Sequence, residues 1–240
     1  MQKYKIADIV FDASFHYSIT SEVCKNYLYS GEEAPEVSFF IENEDIEEER
    51  KNSSNPEYSN GHFECLALYR KFLTYALTKD TLIIHSSAIA VDGNGYLFVA
   101  PSGTGKSTHT ALWRELFKDR AVMINDDKPV VRKVDGEFFV YGTPWNGKHR
   151  LDTNAKAKVK AVCLIKRGQT NRIRKISKQE MLLKILNQTM RPRKEQEVGK
   201  VFELIEGLLD SIGLYELECN ISLDAAKLSY SVMSEKKYED

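Results

Sequence analysis

No run of about 18 uninterrupted apolar residues occurs in the chain, so the sequence offers no membrane-crossing helix. The N-terminus, MQKYKIADIVFDASF, lacks the basic, then apolar, then small-residue order of a secretion signal. Together these absences lead us to expect a cytoplasmic protein with no membrane partner. The four cysteines, Cys24, Cys65, Cys163 and Cys219, include no C-x-x-C pair. That spacing argues against a sequence-local zinc site or a disulfide-stapled small domain and reads as buried thiols. Glycine and proline are modest, 13 and 6 of 240 residues, which excludes collagen-like and low-complexity chains. No period of 20 to 50 residues repeats, so a solenoid is not expected. What is present is 42% apolar and 29% charged residues, the balance of a soluble globular protein. At roughly 150 residues per domain, the length suits one large domain or a domain with a smaller partner.

A formal net charge of -1 hides an asymmetry, because Lys148 to Lys194 holds 15 basic residues against Asp152 and Glu180 alone. An anionic partner for this segment, a solvated surface and pairing with acids elsewhere in the fold all fit that pattern.

Apolar alternation suggests strands near Tyr4 to Phe11 and over Val37 to Ile41. The acidic run Glu42 to Arg50 reads as a solvated face or mobile connection, followed by a loop, KNSSNPEYSNG. Helical spacing over His62 to Lys79 closes an N-terminal α+β region, placed at residues 1–80. Residues 81–240 read as a second, catalytic domain of α/β class. In it TLIIHSSAIAVDGNGYLFVAPSGTGKSTHTALWRELFKDRAVMINDDKPV parses as strand, turn, strand, glycine-rich loop, helix and strand. DGNG signals a hairpin, and another Asp-Gly turn separates Val130–Val134 from Phe138–Tyr141. Val159 to Ile165 reads as a buried strand, Ser177 and Glu180 as a capping box for a helix from Lys178 to Met190. Helices near Glu197 to Leu209 and Leu223 to Met233 flank a short strand at Leu214 to Leu217.

Ala100 to Ser107, APSGTGKS, fits the P-loop (Walker A) pattern and is followed by Thr108. A phosphate chain needs donors on several sides, and glycine lets backbone N–H groups approach it closely. Ser102, Gly103, Thr104 and Gly105 supply that wrap, Lys106 an ammonium for the outer phosphates, Ser107 a hydroxyl for Mg2+, and Thr108 lies in the helix start whose positive end faces the nucleotide. ATP and Mg2+ are therefore the expected cofactors.

Phosphoryl transfer also requires a group that holds the metal and one that orients the acceptor hydroxyl. Asp126 and Asp127 directly follow the apolar run Ala121 to Ile124, so one helix and one returning strand bring them toward the loop. A strand-ending turn is the alternative reading. Asp126 is assigned to metal with Ser107, both aspartates and Lys106 to catalysis, while which aspartate serves as base stays open. His85 follows Leu82 to Ile84. By itself a histidine at a strand end is more often structural, and His16, His62, His109 and His149 carry still less.

In this order of parts the sequence resembles the catalytic domain of bacterial HPr kinase/phosphorylase, within the phosphoenolpyruvate-carboxykinase-like P-loop kinases. HSSAIAVDGNGYLFVAPSGTGKST and MINDD carry the resemblance, over about His85 to Asp127. It implies a mixed-sheet P-loop core, a histidine on a strand, and His85 with the aspartates around the transferred phosphoryl group. Where that family has a glutamate, arginine and double-glycine signature linked to phosphorolysis, this chain reads VYGTPWNGKHR, which leaves the reverse reaction open. The first 80 residues do not resemble that family's usual N-terminal domain. The chain is more similar to shorter HPr-kinase-like proteins, some of which phosphorylate a serine of a small ribosomally made peptide.

YGTPWNGKHR reads either as a plain loop exposing Trp145 or as a turn that sets Lys148 and Arg150 near phosphate or an acidic acceptor. Arg191 and Arg193 fit a solvated loop better than a phosphate contact. The expectation is an Mg-ATP-dependent kinase whose acceptor is a hydroxyl of a peptide, small protein or small molecule, serine foremost. A small-metabolite kinase and a non-catalytic ATP-binding regulator are the rivals. No basic motif interleaved with aromatics points to nucleic acid, and self-association stays open.

Overall fold

Three two-residue turns place both central residues at positive φ, the conformation that matches the twist of paired strands. The computed structural model describes residues 1–147, 149–190, 192 and 194–236. They fall into two compact units, Met1–Lys79 and Asp80–Asp240.

In the first unit, β1 (Gln2–Ile6) and β2 (Ile9–Ser14) pair antiparallel about Ala7 and Asp8, at φ 52° and 58°. The turn has no glycine, so the alternation over Tyr4 to Phe11 conceals it. Helix α1 (Ser18–Cys24) follows, and β3 (Val37–Phe40) pairs parallel with β2. Helices α2 (Asn43–Lys51) and α3 (Asn60–Leu77) complete the unit, with Phe72 of α3 packed on Phe11 and Phe39.

The acidic run is therefore a helix rather than a mobile connection. Glu42 and Asp45 form a reciprocal capping box, and acids in the first turn with Arg50 and Lys51 in the last suit the helix dipole. Ile46 and Glu49, one turn apart, are buried, and Glu49 is paired with Arg70 of α3. Charge density hid an amphipathic face of only two residues.

The second unit begins with β4 (Thr81–Ile83), then the hairpin β5 (Ser87–Val91) and β6 (Asn94–Val99) about Asp92 and Gly93. Helix α4 (Lys106–Phe117) leads to β7 (Ala121–Asn125), and β8 (Val130–Val134) pairs β9 (Glu137–Tyr141) about Asp135 and Gly136. Strands β10 (Lys156–Arg167) and β11 (Arg172–Lys175), helices α5 (Lys178–Gln188) and α6 (Val198–Ser211), strand β12 (Gly213–Cys219) and helix α7 (Leu223–Ser234) complete it. The sheet runs β4-β8-β9-β10-β6-β5-β7, and β12, with β11 beside it, also pairs with β10. Only β10 with β6 and β10 with β12 are parallel, so this is a mixed, curled sheet. Its twelve-residue β10 joins β9 at its start and β12 along its end, with β6 on the other edge.

Trp113 anchors α4 to this sheet. It is fully buried, meets the rings of Tyr96, Phe98, Phe117 and Tyr230, and donates from Nε1 to Ser229 Oγ at 3.0 Å. Truncating such a side chain costs about 3–5 kcal/mol. With α4 held at its middle, the loop before it is fixed over the end of β6. Cys24, Cys163 and Cys219 are buried and Cys65 is partly exposed, all as free thiols. No helix among the described residues is long and apolar enough to cross a membrane.

Much of the basic excess is neutralised within this unit. Lys158 meets Glu137, Lys160 meets Glu235, Lys166 and Arg174 share Glu216, and Lys178 meets Asp210.

Candidate functional site

The chain passes from β6 into α4 through Ala100 to Gly105, with Gly103 and Gly105 at φ 76° and 125°. A Cβ at either glycine would meet nothing within 4 Å. Backbone conformation, not crowding by the chain itself, thus demands glycine there, and it leaves open space before the loop. Gly105 is the N-cap of α4 and no side chain caps that end. Its first N–H groups, with the positive end of the helix dipole, suit an anion.

Lys106 opens α4 and is 7% exposed, with Nζ donating to the Ala100 carbonyl at 2.9 Å. Burial pushes its ammonium below the ordinary lysine value, while attraction from Asp127 and Asp126 acts the other way. A second cation, Arg167 at the end of β10, donates to the carbonyls of Gly103 and Thr104. Both cations of the loop are thus held by its own carbonyl oxygens.

Opposite the loop, β5 and β7 pair side by side, with an irregularity between Ala88 and Ile89. Ser87 Oγ donates to Asp126 Oδ1 at 2.7 Å and lies 2.8 Å from Thr110 Oγ1 on α4. This chain of hydroxyls ties the helix that follows the loop to the first carboxylate. Asp126 is buried, and among the described residues its side chain accepts from Ser87 alone, which leaves oxygen lone pairs for another ligand.

Asp127 faces His85, whose Nε2 is 3.2 Å from Oδ1, and Lys128 pairs with Oδ2. Burial by itself raises this carboxyl, but the His85 hydrogen bond and the Lys128 charge outweigh it and hold Asp127 at about 2. His85 lies just beyond β4, in the link to β5, rather than within a strand. Its backbone N–H donates to the Gln188 carbonyl at 2.7 Å, and that of Ser86 to the Asp127 carbonyl at 3.2 Å.

One cleft of about 540 Å³ brings together His85, Ser102, Gly103, Gly105, Lys106, Ser107, Thr108, Asp126 and Asp127. Thr104 instead lines the neighbouring clefts. Arg150 is exposed outside the lining, and Lys148, Arg191 and Arg193 lie outside the described residues. Trp145 is 7% exposed, so of the two readings of this segment the plain loop that exposes it does not form.

Four further residues complete the cleft or its frame. Asn146, Gly147 and His149 line it. Asn125, fully buried, donates to the Thr143 carbonyl at 2.9 Å and accepts from the N–H groups of Asp127 and Lys128 at 2.8 and 2.7 Å. It builds the Asp-Asp turn as an Asx turn and pins the 143–145 segment to it. The N of NDD was the available signal for Asn125; His149 gave none, because its neighbours in space come from other parts of the chain.

No group of three or more His, Cys, Asp or Glu side chains among the described residues makes a metal cage. Hydroxyl and carboxylate oxygens at Ser107 and Asp126 are nonetheless hard donors, and Mg2+ commonly takes one or two protein oxygens with the remainder from phosphates and water. The donor set thus fits Mg2+ only in company with a phosphate ligand.

No family model and no curated protein matches the chain. Among solved structures it is similar to the HPr(Ser) kinase/phosphatase from Coxiella burnetii, at 10% identity, over 64% of this chain and 95% of that one, with a TM-score of 0.35.

Proposed function

We propose that the second unit is an Mg2+-ATP-dependent phosphotransferase that moves the γ-phosphoryl group to a hydroxyl, with serine of a peptide or small protein as the leading acceptor. The observation that supports this reading is the single cleft in which an uncapped glycine loop and a buried lysine face two adjacent carboxylates and a histidine. Anion donors on one side and acids on the other are what a metal-bridged phosphate needs.

On this reading the N–H groups of Gly103 to Ser107 hold the phosphates, and Lys106 exchanges the Ala100 carbonyl for a phosphate oxygen. Ser107 and Asp126 would hold Mg2+, which would supply neutralisation of the phosphate charge. Asp127, ionised at neutral pH, accepts a hydrogen bond from the acceptor hydroxyl and aims its oxygen at phosphorus. As the new O–P bond forms, the bond to the β-phosphate oxygen breaks, ADP leaves, and the hydroxyl proton passes to the Asp127–His85 pair. His85 holds the carboxylate in line through its Nε2 contact.

The test uses labelled ATP with panels of serine peptides, small proteins and hydroxyl metabolites. Transfer by the wild-type chain, lost in Lys106→Ala and in the Asp126→Asn, Asp127→Asn double variant, supports the reading. Transfer that survives both changes sinks the site, and nucleotide binding without transfer to any acceptor points to a regulator.

A further inference from the structure

Two more clefts flank the glycine loop, and they differ in chemistry. One, of about 720 Å³, runs toward α5 and carries the exposed Lys184 beside Asn187 and Gln188. It shares Ser102 and Gly103 with the site cleft. The other, of about 550 Å³, lies between the first turns of α4 and the ends of β10 and β12. It shares Gly103, Gly105 and Thr108 with the site cleft, which is the stretch whose N–H groups open α4.

We infer that this second cleft is the nucleobase slot of the nucleoside triphosphate whose phosphates occupy the loop, and that it grips the base by its faces rather than reading its edge. The inference rests on the phosphate-loop reading of the preceding subsection and adds to it where the rest of the nucleotide goes. Leu112 stands one turn beyond Thr108 on the same side of α4 and forms an apolar wall with Ile165. Ile221 stands at the slot 79% exposed, an apolar side chain that a flat ring can cover. Phosphates held at the N-terminus of α4 leave the base next to Thr108; Lys166 and Arg167 line both flanking clefts, and the Lys184 cleft adds a further exposed cation better suited to an anionic group.

The cations of the slot are engaged within the protein, Lys166 with Glu216 and Arg167 with the carbonyls of Gly103 and Thr104. No Asp or Glu lines the slot. Asn220, the amide within it, donates from Nδ2 to the Gln169 carbonyl at 3.3 Å and accepts from Ser222 Oγ at 2.6 Å. His109, behind the slot, is 2% exposed and held neutral by burial, so it adds no charge.

Calorimetric titration of the full chain with Mg2+ and, in turn, ATP, GTP and inorganic tripolyphosphate tests this. ATP is expected to bind at least tenfold more tightly than tripolyphosphate, and GTP within about threefold of ATP. Ile221→Ser should weaken ATP about fivefold, by removing apolar area against the ring, and leave tripolyphosphate within twofold. Because Ile221 is exposed, this variant should melt as the wild type does. Equal affinity for ATP and tripolyphosphate overturns the slot. So does a loss of ATP affinity in Asn187→Ala with none in Ile221→Ser, which places the base in the other cleft. A preference between ATP and GTP above thirtyfold overturns binding by faces. If neither ATP nor tripolyphosphate binds the wild-type chain, the phosphate-loop reading itself falls and takes the slot with it.

Discussion

His85 Nε2 lies 3.2 Å from Asp127 Oδ1, although a hairpin, the glycine loop, α4 and β7 separate them in the chain. The contact gives the second carboxylate an orientation and a low pKa at once, and its removal should be visible in both activity and stability.

Asp127 titrates at about 2 in the fold against an ordinary value of 3.8. A carboxyl depressed by folding adds stability above pH 3.8, and that contribution is lost as pH falls through about 2. Discounted for solvent screening, it amounts to about 1–2 kcal/mol. In Asp127→Asn the acid limb of a melting-temperature profile should be flatter between pH 4 and 2, and phosphoryl transfer should fall by about 10²–10⁴. Unchanged turnover in this variant excludes Asp127 from the acceptor side.

His109 acts in the same direction over a higher pH window. Burial lowers its imidazole from 6.5 to about 4, so the unfolded chain binds the extra proton first. Stability should therefore decline as pH falls from 6.5 to about 4, by on the order of 3 kcal/mol. His109→Leu should remove that slope while Trp113 keeps its bond to Ser229. Chemical denaturation at several pH values checks it, and a variant as acid-sensitive as the parent in this window refutes it.

Lys106→Ala separates binding from stability. The ammonium is buried and its pKa lowered chiefly by that burial, which means the charged form is disfavoured by folding at neutral pH. The variant should melt at or above the wild-type temperature yet bind ATP about 10–100-fold more weakly, the worth of one charge-assisted contact. Scanning calorimetry with and without ATP measures both.

In the first unit, Glu49 is 6% exposed and meets Arg70 through two guanidinium contacts. Arg70→Ala removes the guanidinium from that buried carboxylate and should cost about 3 kcal/mol. Adding Glu49→Gln should return most of the loss, since the buried negative charge goes with it. Urea unfolding of the single and double variants decides, and a double variant no better than the single rules out the buried charge as the cause.

The glycine loop, its flanking strand and helix, and the Asp-Gly hairpins were legible because each is a local demand. Positive φ calls for glycine, and a helix start without a side-chain cap calls for an anion. The hairpin at Ala7 and Asp8 was not legible, because its positive-φ residues carry side chains and the apolar alternation passes through them. Nor was α2, whose buried face consists of Ile46 and Glu49. The packing of Trp145 was left open by the sequence, since its carbonyl meets Asn125, a residue of β7.

The sequence alone determined the order and type of most elements and the composition of the glycine loop, since these follow from backbone preference and apolar period within short windows. Tertiary structure alone decided that Asp127 meets His85, that Asn125 ties the Asp-Asp turn to the 143–145 segment, and that His149 rather than Arg150 lines the cleft. Those outcomes depend on strand order and on which side chains the sheet brings edge to edge, and no local pattern encodes a neighbour supplied by another strand.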